Sequence, residues 1–90
     1  MALFALGRVV ATPGALAALQ KAEQEPREFL DRHVNGDWGD VPEADKQENE
    51  LALQHGFRTF SAYTTSAGDR IWIITEADRS ATMISLPDEY

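Results

Sequence analysis

Cysteine is absent from this chain, which excludes disulfide staples, thiolate nucleophiles and the cysteine-based zinc sites that hold many small domains together. Long apolar runs are missing too, and nothing approaches the roughly 18 consecutive apolar residues that a membrane span needs. The opening MALFALGRVVATPGAL has neither a basic start nor a cleavage-site stretch, so no secretory signal is expected. Basic residues are scarce: 8 Lys and Arg stand against 15 Asp and Glu, a net charge of −7. An acidic surface repels phosphate backbones, which argues against direct nucleic-acid binding. The six glycines never gather around a lysine, so no phosphate-cradling loop is expected. No His-Glu-x-x-His pair and no calcium-loop spacing of acids occurs. These absences lead to an expectation of a cytoplasmic chain that carries no cofactor and contacts no membrane.

What remains is enough for one core. An apolar share of 43% over 90 residues is that of an ordinary globular chain near the small end of what folds alone, so residues 1–90 are read as a single domain. The charge is concentrated. Residues 23–50 hold ten acids (Glu23, Glu25, Glu28, Asp31, Asp37, Asp40, Glu43, Asp45, Glu48 and Glu50) against Arg27, Arg32 and Lys46, while acids and bases cancel over the rest. The whole excess therefore lies in the middle third, where it would attract a basic protein surface or simply solvate a helical face.

Hydrophobic period gives the elements. The run GRVVAT favours a strand, and Thr12-Pro13 starts a helix, the hydroxyl as cap and the proline at the first position. Ala15, Leu16, Leu19 and Ala22 repeat at helical spacing. Pro26 opens a second helix with Phe29, Leu30, His33 and Val34 on one face, and Asn35-Gly36 ends it. Asp40-Val41-Pro42-Glu43 has capping-box spacing for a third helix running to about Gln54 or His55 and burying Ala44, Leu51 and His55. From Phe57 the period becomes two. FRTFSAYTT, RIWIITE and ATMISLP read as three strands of an antiparallel meander joined at SAGD and ADRS. The fold expected is α+β: an N-terminal strand at a sheet edge and two to three short helices on one face of a three- to four-stranded antiparallel sheet.

Between the second and third helices lies HVNGDWGDVP. Its glycines, Asp40 and Pro42 fit a corner between helices, and Trp38 is placed to anchor that corner. Chain geometry leaves Asp37 unexplained. His33, Asp37 and Asp40, with Asp31 and His55, are the nearest approach to a metal set, but a histidine on an apolar helical stripe is usually a core residue, so no metal is expected. Ser61, Ser66, Ser80 and Ser85 lack the strand-to-helix elbow of a nucleophile. One enzymatic arrangement remains as an alternative: a small metal-independent ribonuclease of the barnase or RelE kind, with His33, Arg58, Tyr63 and Arg79 as base, phosphate-binding and hydroxyl groups. The strand around Trp72 is apolar on both faces, which fits a protein interface or a homodimer.

RHVNGDWGDV followed by SAYTTSAGDRIWIITEADRSATMISLPDEY resembles a group of small bacterial proteins associated with plasmids and other mobile elements. The resemblance covers nearly the whole chain and is carried by the GDWGD and IWIITEADRS blocks. It brings no established catalytic residues, although a restriction-system label attaches to some members. What it implies is interference with a host defence or nucleic-acid-processing complex, in the manner of anti-restriction or anti-CRISPR proteins. The leading expectation is thus an acidic, non-enzymatic module that binds a protein partner with a basic surface. Trp38, Asp37, Glu43, Asp45, Glu48, Glu50 and Trp72 are its candidate binding residues.

Overall fold

The computed structural model describes residues 2–90. In chain order it has strand β1 (Arg8–Ala11), helices α1 (Pro13–Lys21), α2 (Pro26–Val34) and α3 (Glu43–His55), and strands β2 (Thr59–Thr64), β3 (Arg70–Thr75) and β4 (Ala81–Ser85), followed by a 3-10 turn at Pro87–Glu89. The strands form one sheet in the order β1-β4-β3-β2. β2, β3 and β4 make the expected antiparallel meander, and β1 takes the expected edge place. The sheet is nonetheless mixed, because β1 runs parallel to β4, Arg8 opposite Ala81 and Ala11 opposite Ile84. The helices between these two strands let the chain return to the far side of β4 before it re-enters the sheet, and parallel pairing needs such a long connection.

Alternation along the strands sorts the sheet into two faces. On one, Tyr63, Ile71, Ile73 and Ile84 close over Ala15 and Leu19 of α1 and Phe29 of α2. The stripe expected on α2 is present, with Phe29, His33 and Val34 buried. On the other face, Ala62, Phe60 and Trp72 pack with Leu53 of α3 and with Trp38 and Val41 of the corner. β3 is thus apolar on both sides because it is covered on both sides, and the helices do not all lie on one face. Trp72 is half-buried between the rings of Phe60 and Tyr90, 5.2 and 5.8 Å away between centroids.

Local signals behave as their chemistry requires. Thr12 caps α1 by accepting from the Ala15 N–H at 3.2 Å. At the end of α2 the Gly36 N–H bonds to the His33 carbonyl and the Asp37 N–H to the Arg32 carbonyl, a pairing that needs a left-handed residue at Gly36, where φ is 83°. Two expectations fail in α3. Its N-cap is Pro42, which provides no side-chain cap, because the Asp40 carboxylate is engaged by the Thr64 hydroxyl at 3.0 Å. Its buried face holds Asn49 and Ala52, whereas Ala44, Leu51 and His55 face outward.

The reason lies at the outer edge of β2. Phe60 and Ala62 direct their main-chain groups away from β3. The Ala62 N–H donates to the Trp38 carbonyl at 3.1 Å and its carbonyl accepts from the Asp40 N–H at 2.6 Å. The Asn49 carboxamide accepts from the Phe60 N–H at 3.0 Å and donates to its carbonyl at 2.7 Å. The corner and one side chain of α3 therefore complete the ladder, and α3 turns Asn49 inward to do so. Gly39 lies within this contact at φ 75°, where a Cβ would come 2.1 Å from the Ala62 carbonyl oxygen. Gly56 shares the left-handed backbone at φ 72° but has open space around it. Gly56→Ala is therefore expected to cost about 1 kcal/mol, the left-handed strain alone. Gly39→Ala should cost about 3 kcal/mol or more, because the peptide contact must also open. Urea unfolding of the two variants side by side checks the difference.

Candidate functional site

The most polar part of the core is built around His33, which α2 carries into the sheet at zero exposure. Its Nδ1 lies 2.5 Å from the Ser61 hydroxyl and its Nε2 2.9 Å from the Thr75 hydroxyl, with Thr59 further off at 3.4 Å. Thr75 in turn meets Thr82 at 2.8 Å, and Thr82 donates to the Leu6 carbonyl at 2.7 Å. Counting protons fixes the direction of the chain. The Leu6 carbonyl can only accept, so it takes the Thr82 proton. Thr75 must then donate to Thr82, and it accepts from His33, which places the ring proton on Nε2. Nδ1 is left to accept from Ser61. The ring is neutral and both nitrogens are satisfied.

Burial pushes the His33 pKa down to about 4, with the Arg79 charge acting in the same direction. Phe4 lies between these two groups, its ring 5.1 Å from His33 edge-on and 5.2 Å from the Arg79 guanidinium carbon. Arg79 stands at φ 62° and donates to the carbonyls of Phe57, Glu76 and Ala52 at 2.6, 3.1 and 3.2 Å. It thereby ties the β3–β4 turn to the end of α3 and the start of β2.

The second polar group explains Asp37. Its carboxylate takes the Arg32 Nε at 2.7 Å and the Gly39 N–H at 3.3 Å, while its carbonyl accepts from the Tyr63 hydroxyl at 2.6 Å. The Arg32 guanidinium lies 4.5 Å from the centroid of the Tyr63 ring. The hydrogen bond from Arg32 holds the Asp37 carboxyl below the usual carboxylate range. Burial raises the Tyr63 hydroxyl to about 12. Asp37 therefore fastens the corner to β2 and holds a cation over a buried ring, a role that hydrophobic periodicity does not reveal.

The residues named from sequence are distributed as follows. His33 and Tyr63 are sealed in the core, Arg79 is a clasp, and Arg58 donates to the Tyr90 hydroxyl at 2.6 Å. These four do not converge on an open cleft, and the His33 ring and the Tyr63 hydroxyl are already engaged in the core, which weighs against the ribonuclease arrangement. Trp38 is buried, its indole N–H donating to Glu50 at 3.0 Å and its ring stacked on Phe4. Trp38 is thus taken up by the core, while the Asp37 and Glu50 carboxylates are exposed but already engaged by Arg32 and by the Trp38 indole. Glu43 and Glu48 are exposed, Asp45 is half-buried, and none of the three makes a side-chain hydrogen bond or ion pair among the described residues. Among the described residues no cluster of acids and histidines is arranged to hold a metal, and no helix is long and apolar enough to cross a membrane. In comparison with known proteins the chain matches no family model, no curated protein and no solved structure.

The His33 network has a consequence for stability. In the unfolded chain the ring gains its proton near pH 6.5, and in the fold only near 4. Acid therefore favours the unfolded chain throughout that interval. The stability that the neutral ring contributes is complete above about pH 6.5 and is lost as the pH falls toward 4. By pH 5 the loss should reach about 2 kcal/mol. Urea unfolding at pH 7 and pH 5 reads this loss directly. It should vanish in His33→Gln, which is also less stable at pH 7 because Ser61 and Thr75 lose a partner.

Proposed function

We propose that this protein is a non-enzymatic binding module that engages a basic protein surface through the exposed carboxylates of residues 23–50. The observation that carries this reading is how few of those charges the fold uses. Asp37 is paired with Arg32, Glu28 accepts from Gln24, Asp40 from Thr64 and Glu50 from Trp38. Glu23, Glu25, Asp31, Glu43, Asp45 and Glu48 make no comparable contact among the described residues. Such a field speeds encounter with a cationic partner and fixes its orientation. The engagement of both His33 ring nitrogens by hydroxyls of the sheet supports a binding role over a catalytic one. A narrower form of the reading, interference with a host defence or nucleic-acid-processing complex in the cytoplasm, draws on the resemblance of the corner and hairpin blocks to mobile-element proteins.

The test is capture of partners from a bacterial lysate at low and high salt, with a charge-reversed variant beside the parent. Glu25→Lys, Asp31→Lys and Glu48→Lys together avoid every carboxylate that holds the corner. A protein partner recovered with the parent should be released by salt and lost from the variant, while the circular dichroism spectrum stays unchanged. A partner retained equally by the variant would overturn the electrostatic reading.

A further inference from the structure

The two edges of the sheet are unlike. That of β2 is filled by the corner and by Asn49. At the other edge, the Arg8 N–H donates to the Ser80 carbonyl and the Thr12 N–H to the Ile84 carbonyl. By the alternation of a parallel ladder, Val10 also faces β4, while the N–H and C=O groups of Val9 and Ala11 point outward. No partner meets these outward groups among the described residues. The strand is exposed on both sides, Val9 at 42% and Val10 at 40%. Unpaired, apolar edges of this kind are templates for another strand.

We propose that β1 pairs antiparallel with β1 of a second copy, about a two-fold axis at Val10, to make a continuous eight-stranded sheet. Three features point to a copy of this chain as the occupant. First, the register is self-complementary. With Val10 opposite Val10, Val9 stands opposite Ala11 of the other copy, and the four outward groups of each strand find four partners. Second, the charges match. This register sets Arg8 opposite Thr12 of the other copy, both on the face that carries Val10. Thr12 donates to the Glu89 carboxylate, so each Arg8, which has no ion pair among the described residues, is brought to an exposed acid, twice per dimer. Third, the pairing is closed. The β2 edge has no free main-chain groups at Phe60 and Ala62, so the sheet ends there instead of growing into a fibre. The acidic corner and α3 lie at that far edge, which keeps the two negative fields apart.

This inference goes beyond the binding role and does not depend on it, although a dimer would carry two acidic ends. Sedimentation equilibrium of the full chain from about 1 µM to about 1 mM tests it. The parent should pass from monomer to dimer within that range, and salt should weaken the association. Val9→Pro removes an outward donor and spares the bonds to β4, so it should weaken the dimer about tenfold or more. Val10→Lys sets two like charges against each other at the axis and should leave a monomer. Its site is half open in the single chain, so its fold is expected to survive even where the proline does not. A parent that stays monomeric to the top of the range, or a dimer that Val10→Lys leaves unchanged, overturns the proposal.

Discussion

The outer edge of β2 is the constraint on which the rest of the structure depends. A strand at the end of a sheet presents main-chain groups that must find water or a partner. Here the partners come from within the chain: the peptide groups of Trp38 and Asp40 serve Ala62, and the Asn49 side chain serves Phe60. Close approach of two backbones requires a glycine at position 39. Presentation of Asn49 fixes the rotation of α3 about its own axis. Insertion of Trp38 beside that edge gives Phe4 a ring to stack on and brings Glu50 within reach of the indole N–H. HVNGDWGDVP is thus a corner of the fold that acts as a fifth strand for two residues.

The polar interior belongs to the same design. A core of this size gains specificity from groups that fit in one arrangement, at the risk of a large penalty for any that goes unpaired. His33 satisfies that condition through two strands at once, Ser61 on β2 and Thr75 on β3, and the relay through Thr82 ends on the Leu6 carbonyl of the N-terminal segment. Removal from solvent and full use of both ring nitrogens make this imidazole a fastener. A catalytic histidine needs the opposite: an open side and a nitrogen available to substrate.

Much of this was legible in the sequence, and the failures share one cause. Thr12-Pro13, the Phe29/His33/Val34 stripe, Asn35-Gly36 and the change of period at Phe57 are local signals, and each appears where its chemistry places it. The buried face of α3 differs from the expected one because Ala44, Leu51 and His55 make the more apolar stripe, while the face that turns inward carries Asn49. Its burial is driven by main-chain groups of β2, and those leave no trace in a hydrophobic pattern. Asp40 has the spacing of a cap and instead accepts from Thr64 for a similar reason. Asp37 holds Arg32 and Tyr63, residues five and twenty-six positions away. Its meaning is set by the fold and not by its neighbours in the chain. The parallel pairing of β1 likewise depends on the path of three intervening helices.

Charge placement follows from these same choices. Glu28 lies in the first turn of α2, and Glu43 and Asp45 in the first turn of α3, where the helix dipole favours an anion. Asp37, Asp40 and Glu50 are held by the corner they fasten. These two uses account for the carboxylates that a stable corner needs. They leave Glu23 beyond the end of α1, Asp31 late in α2 and Glu48 in the middle of α3, positions where neither a helix N-terminus nor a side-chain hydrogen bond offsets the mutual repulsion. These unoffset charges are what the proposed binding role rests on, whereas the proposed assembly rests on the unpaired main-chain groups at the open β1 edge.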